Sequence, residues 1–202
     1  MKSIIDNLMR RRASALADDL EPHLPTSGIL VDIGSGTGHN AAALRDRLPG
    51  VTFVECDTAD FHVVGSGPIV IRDILPFRTN SVDVCLLQFI LQYPPDPAGI
   101  LREARRVTST GGAIIVRQTV HQAGLSKLLM AFHELAWGPL AYEFSRLVAG
   151  VPAGASTYLR PRRLFSQKTL LSLCEAAGLR CRSASILQNG PGTCYDVILV
   201  LE

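Results

Sequence analysis

The chain has 202 residues, of which 47% are hydrophobic and 19% charged, and a formal net charge of +2. This length fits one domain that buries well over half of its unfolded surface without staples, and the apolar content excludes a disordered chain. The small net charge gives no argument for nucleic acid, whose phosphate backbone needs a concentrated basic face, and none is expected as a partner. Cys56, Cys85, Cys174, Cys181 and Cys194 contain no C-x-x-C pair, so neither a disulfide framework nor a zinc site is expected.

The apolar positions Ile4, Ile5, Leu8, Ala15, Leu16 and Leu20 recur at helical spacing and predict an amphipathic N-terminal helix within residues 1–25, ending before Pro22 and Pro25. The same segment carries Asp6, Arg10, Arg11, Arg12, Asp18 and Asp19 and has no apolar signal-peptide core. The stretches without Asp, Glu, Lys or Arg, such as the one between Arg146 and Arg160, fall short of the ~18 apolar residues of a membrane span. The expected location is therefore the cytoplasm. Residues 28–33 form a short apolar run broken only by Asp32, the pattern of a strand buried on both faces. A helix is predicted over residues 40–48, closed by Pro49 and Gly50, then a second strand over 52–56. Between Asp57 and Ile69, Gly65, Gly67 and Pro68 leave room for little more than a helical turn, so the helix expected there is vestigial.

Further strands are predicted over 68–72 and 82–89, the latter after an Asn80-Ser81 turn. Asp96 followed by Pro97 is an N-cap with proline at the first helical position, opening a helix to about Val107. Gly111 and Gly112 precede a fifth strand over 113–119. Residues 121–160 read as one or two helices packed as a cover after that strand. Ser166 caps a helix over 167–177 that Gly178 ends, and strands over 179–187 and 194–201 flank the turn Asn189-Gly190-Pro191-Gly192. The whole is an α/β doubly wound, Rossmann-like, mostly parallel seven-stranded sheet with one antiparallel strand in a C-terminal hairpin, in a single domain over 1–202.

The strongest local signal is Ile29-Leu30-Val31-Asp32-Ile33-Gly34-Ser35-Gly36-Thr37-Gly38, an apolar strand, an acid and three alternating glycines at a strand-to-helix turn. Such glycines allow positive φ and let a ligand touch bare backbone, and the helix that follows offers free N–H groups to a carboxylate. A dinucleotide fingerprint needs a third glycine where this chain has His39, and a P-loop needs Gly-Lys-Ser/Thr, which is absent. An acid at the end of the next strand, Glu55 or Asp57, can accept both hydroxyls of a ribose. Alternation puts the two on one side, and Asp57, at the strand's very end, is favoured with Glu55 as the fallback.

Together with Arg72-Asp73-Ile74-Leu75-Pro76-Phe77, Asn80-Ser81-Val82-Asp83-Val84 and Arg106-Val107-Thr108-Ser109-Thr110-Gly111-Gly112, the glycine turn resembles the successive motifs of class I S-adenosylmethionine-dependent methyltransferases. The nearest type is the "type 11" group that includes quinone-biosynthesis enzymes. The resemblance covers Gly28 to about Val116, while 165–201 matches only the family's general ending. It implies S-adenosylmethionine as cofactor, with Asp32, Gly34, Ser35, Gly36 and Gly38 at its methionyl end and Asp57 at the ribose. It also puts Asp73 at the adenine amino group, Ile74 against the ring and Gln88 beside the cofactor at the end of the fourth strand.

Where many relatives have a His-His pair after that strand, this chain has Gln92-Tyr93. The remaining candidate bases are His121, placed best topologically, then His133, Tyr142 and Glu143. His39 and His62 read as surface or cofactor-adjacent. The apolar and aromatic stretch from Leu125 to Phe144 reads either as packing on the sheet or as a lid over an apolar substrate. The basic group Arg160, Arg162, Arg163 and Lys168 reads as a solvated helix entry, and Arg10-Arg11-Arg12 as a charged helix face. The expected function is methyl transfer to an oxygen, nitrogen or carbon of a small, apolar acceptor, with His121 as catalytic candidate and no metal. A non-catalytic S-adenosylmethionine-binding partner protein is the alternative, and the oligomeric state is left open.

Overall fold

The computed structural model describes residues 2–60, 62–72, 74–121, 162–187 and 194–202. Helix α1 (Lys2–Leu20) leads through a short 3-10 turn into strand β1 (Gly28–Ile33), helix α2 (His39–Arg47) and strand β2 (Val51–Asp57). Strand β3 (Ile69–Val70), strand β4 (Val82–Gln88), helix α3 (Pro97–Val107) and strand β5 (Thr108–His121) follow. Helix α4 (Gln167–Ala176) and strands β6 (Cys181–Leu187) and β7 (Cys194–Leu201) complete the described elements.

The seven strands form one sheet in the order β3-β2-β1-β4-β5-β7-β6. Strands β1 to β5 pair in parallel, and β7 runs antiparallel between β5 and β6. This is the predicted wound sheet with its antiparallel C-terminal pair. Successive side chains of the inner strands divide between two cores, as the pleat requires. Val31, Ile33, Cys85, Leu87, Ile114 and Val116 pack with Leu101 and Ala104 of α3 and Leu170 and Cys174 of α4. On the other face Leu30, Val84, Leu86 and Ile115 pack with Ala17 and Leu20 of α1 and Leu44 of α2. Sheets covered on both faces read as continuous apolar runs, and β1 and β4 do so here.

The helix starts follow their caps. The Asp96 side chain accepts from the Gly99 N–H at 2.9 Å ahead of Pro97. Ser166 and Thr169 exchange hydrogen bonds in a capping box, Thr169 taking the place usually held by a glutamate. Two strands differ from expectation. Strand β3 shrinks to two residues, and β5 starts at Thr108 rather than Ala113. Gly111 and Gly112 lie inside β5 where the pairing with β4 shifts register, so they permit an irregularity in a strand rather than a turn before it. Between Asp57 and Ile69 there is no regular element among the described residues, as the glycines and proline suggested.

Candidate cofactor crevice

Strand β1 ends at Ile33, and the chain turns through Gly34, Gly36 and Gly38, all at positive φ, before α2 begins at His39. The three glycines serve different ends. A Cβ on Gly34 would meet the Ile90 side chain, and one on Gly38 would meet the Val64 carbonyl oxygen. A Cβ on Gly36 would meet nothing within 4 Å. Gly34 and Gly38 are glycines for packing, whereas at Gly36 bare backbone borders open space, as a closely approaching ligand requires.

Alternation from the packed neighbours sets Asp32, Glu55, Asp57, Gln88 and His121 on the face of the sheet that α1 and α2 cover, at or near the carboxyl ends of β1, β2, β4 and β5. Open α/β sheets bind ligands beyond that edge. Asp32 is 1% exposed, and neither carboxylate oxygen has a hydrogen-bond partner among the described residues. Burial, reinforced by the charges of Glu55 and Asp57, pushes its carboxyl up to about 8. Gln88 is buried, and neither amide atom has a hydrogen-bond partner among the described residues. Native proteins seldom bury polar atoms unmatched, so two such groups on one face call for a ligand.

The two candidate ribose acids part company. Glu55 is engaged, with Arg45 at 2.6 Å from one oxygen and His62 Nε2 at 3.0 Å from the other. Asp57 lies at the end of β2 and accepts from the Gly36 N–H at 2.8 Å and the Thr58 N–H at 2.7 Å. Burial raises its carboxyl, and those hydrogen bonds hold it back. Asp57 thus joins the glycine turn directly, and Glu55 serves the scaffold behind it.

His62, read from sequence as surface or cofactor-adjacent, has a buried ring that lies 3.1 Å from Ser35 Oγ as well as against Glu55. The Val63 and Val64 N–H groups donate to the Thr37 carbonyl, so the short segment after β2 is laced onto the glycine turn. His39 is buried too, between Thr37 Oγ1 at 2.9 Å and Asp6 of α1 at 3.0 Å. The Ser35–His62 and Asp6–His39 contacts have no local sequence signal, because each joins segments distant in the chain. Ile74 is 70% exposed, and α3 positions its neighbours: Arg106 donates to the Leu75 and Phe77 carbonyls at 3.0 Å and Glu103 accepts from the Leu75 N–H at 3.1 Å. Asp73 lies outside the described residues.

His121 is the last residue of β5, buried, with its N–H donating to the Phe165 carbonyl at 2.9 Å. Gln92 is buried and accepts from Gln118 Nε2 at 2.7 Å, and Tyr93 follows it in the same loop. His133, Tyr142, Glu143 and the apolar cover lie outside the described residues. The basic group departs from the solvated reading at Arg163, whose guanidinium donates to the Pro94 and Pro95 carbonyls at 2.7 and 3.1 Å and ties this segment to the loop after β4. No helix among the described residues is long and apolar enough to cross a membrane.

Residues 31–116 match the family model described as a methyltransferase domain. An uncharacterised methyltransferase of Mycobacterium tuberculosis is 34% identical over 129 residues, which cover 56% of this chain and 50% of that one. The chain spans about half the length of the curated relatives it matches. Among solved structures, a Haloferax volcanii methyltransferase in complex with the Trm112 activator matches with a TM-score of 0.68 at 18% identity, covering 96% of this chain and 92% of that one. CalO1, a methyltransferase in calicheamicin biosynthesis with S-adenosylhomocysteine bound, matches with a TM-score of 0.62 at 24% identity, covering 97% of this chain and 54% of that one. The glycine turn, the acid ending β2 and most of the parallel core fall inside the matched span, so residues 31–116 of the chain are similar to the methyltransferase domain family.

Proposed function

We propose that this chain binds S-adenosylmethionine across the carboxyl ends of β1, β2 and β4 and transfers its methyl group to an oxygen, nitrogen or carbon of a small, apolar acceptor, leaving S-adenosylhomocysteine. The observation that carries the reading is the junction of the Gly36 N–H with Asp57 beside the unpartnered, buried Asp32. A bare backbone, a ribose acceptor and an unmatched carboxylate suited to an ammonium group converge there.

In this reading Asp32 faces the methionyl ammonium, and the backbone at Gly34, Ser35, Gly36 and Gly38 lines that end. Asp57 accepts from the ribose hydroxyls, Ile74 covers the adenine ring, Asp73 holds its amino group and Gln88 borders the reacting end. When bound, the cofactor supplies a methyl group on a sulfonium whose leaving group is a neutral thioether. The work left to the protein is chiefly to align the acceptor and exclude water. Alignment is worth about 7–11 kcal/mol, against the roughly 10²–10⁴-fold that a general base contributes. His121, on the same face as Asp32 and Gln88, is the candidate for that base. The domain is read as continuous over 1–202, with residues 121–160 as the cover that makes the acceptor site apolar.

Thermal melts with S-adenosylhomocysteine and with NAD test the reading. A ligand at about 100 times its Kd stabilises by about 2.7 kcal/mol, so S-adenosylhomocysteine should raise the melting temperature by several degrees and NAD should leave it unchanged. Stabilisation by NAD alone would overturn the proposal. Transfer of a labelled methyl group to any acceptor would exclude a purely cofactor-binding role.

A further inference from the structure

One buried polar set at the same edge of the sheet is not used by the cofactor reading. Strand β5 runs past β4: the last pair in register is Gln88 with Arg117, and Gln118 to His121 extend beyond it. Gln118 lies between Val116 and Val120 in the alternation, on the face covered by α3 and α4, opposite to Asp32, Asp57 and Gln88. It is 2% exposed. Its Nε2 donates to Gln92 Oε1 at 2.7 Å and reaches the Thr119 carbonyl at 3.5 Å, while its Oε1 has no partner among the described residues. Gln92 is itself buried and is held through its carbonyl, which accepts from the Arg162 N–H at 2.7 Å.

The donor side of the Gln118 amide is thus occupied by a fixed neighbour, which sets the amide's orientation and leaves a buried acceptor unmatched. Buried carbonyl oxygens are rarely left so, and a site that offers one discriminates strongly against molecules lacking a matching donor. An amide oxygen cannot take up a proton at neutral pH, so this atom recognises rather than deprotonates.

We propose that Gln118, oriented by Gln92, is a specificity-determining residue for the methyl acceptor, and that the acceptor is an otherwise apolar molecule bearing a hydrogen-bond donor, an O–H or N–H group, that reaches Gln118 Oε1. The inference rests on the methyltransferase reading for the identity of the ligand as acceptor. It is independent of which residues hold the cofactor. Gln92 acts through Gln118 and is a positioning residue.

Phenol and anisole, which differ in whether the oxygen carries a donor, are suitable probes. Each is titrated by ligand-observed NMR into the protein saturated with S-adenosylhomocysteine, for the wild type, Gln118→Met and Gln92→Met. Wild type should bind phenol at least about tenfold more tightly than anisole, and Gln118→Met should bring the ratio to about one while its affinity for S-adenosylhomocysteine stays that of wild type. Gln92→Met should lower the ratio only in part, because the Gln118 oxygen remains but is no longer held. If Gln118→Met does not fold, the Gln92→Met ratio decides alone. A ratio near one in wild type, a ratio unchanged by these variants, or no binding of either probe would overturn the assignment. Failure of S-adenosylhomocysteine to bind would instead count against the proposed function, and the phenol-to-anisole ratio would then be read on the free protein.

Discussion

At the scale of single residues, the glycine turn separates backbone freedom from ligand access. Gly36 has a φ of +58° and open space where a side chain would go, while Gly38 has φ +81° and the Val64 carbonyl in that place. Replacing Gly36 by Val should cost about 1–2 kcal/mol of stability from the left-handed backbone, leave the fold intact and abolish S-adenosylhomocysteine binding by calorimetry. Gly38→Ala should lower the melting temperature more than Gly36→Val does, although its added side chain is smaller. Equal binding by Gly36→Val and wild type would contradict the assignment of this turn. The turn was legible because its residues are contiguous in the sequence. Ser35 with His62, and Gln92 with Gln118, were not, since their partners lie 27 and 26 residues away and meet only through the sheet register.

Asp32 carries a pH dependence of definite sign. Its carboxyl is raised from 3.8 to about 8, so between these values the folded state holds a proton that the unfolded state has released. The ligand-free protein should therefore lose stability as pH rises through this window, by up to about 1.4 kcal/mol per unit, and Asp32→Asn should flatten the slope. Binding of S-adenosylhomocysteine near pH 7 should release a proton, because the ligand's ammonium group favours ionised Asp32. Calorimetry in two buffers of different ionisation enthalpy reads that proton, and identical heats would mean that Asp32 does not meet the ammonium.

At the scale of elements, helix α1 is joined to the sheet by charge as well as by apolar packing. Arg117 on β5 is fully buried and donates to the Leu16 carbonyl at 3.1 Å, to Asp19 at 2.8 Å and to Asp196 on β7 at 3.2 Å. Asp196 also accepts from Thr119 at 2.8 Å. Breaking a buried pair by removing one partner leaves an unmatched charge and costs about 3–5 kcal/mol. Arg117→Leu should lose that much stability in urea unfolding, and adding Asp196→Asn should recover part of it. A loss below about 1 kcal/mol would show the pair to be incidental. Nothing in the sequence marked Arg117, an arginine in the middle of an apolar strand, as the contact between α1, β5 and β7. The starts of α3 and α4, by contrast, were readable because capping is local chemistry, with Asp96-Pro97 and Ser166 each next to the helix it opens.

At the scale of the whole molecule, the run of short apolar strands alternating with helices announced a wound sheet, and the closing pair of strands announced its antiparallel end. The strand order itself comes from crossovers, which no local pattern encodes. The early end of β3 and the early start of β5 depend on what neighbouring strands allow rather than on propensity. Folds of this kind host many chemistries, so the site rather than the sheet carries the functional reading. Apart from His121, the proposed cover over residues 121–160 lies outside the described residues, and the proposed acceptor contact comes instead from the rim of β5.

A crystal structure with S-adenosylhomocysteine bound tests the central claim most directly. The ligand's ribose hydroxyls should lie within hydrogen-bond distance of Asp57, its amino-acid end should lie against Gly36 and Asp32, and its adenine should lie beside Ile74. A ligand seated elsewhere, or an Asp57 still bonded to the Gly36 N–H with no nucleoside beside it at saturating ligand, would contradict it.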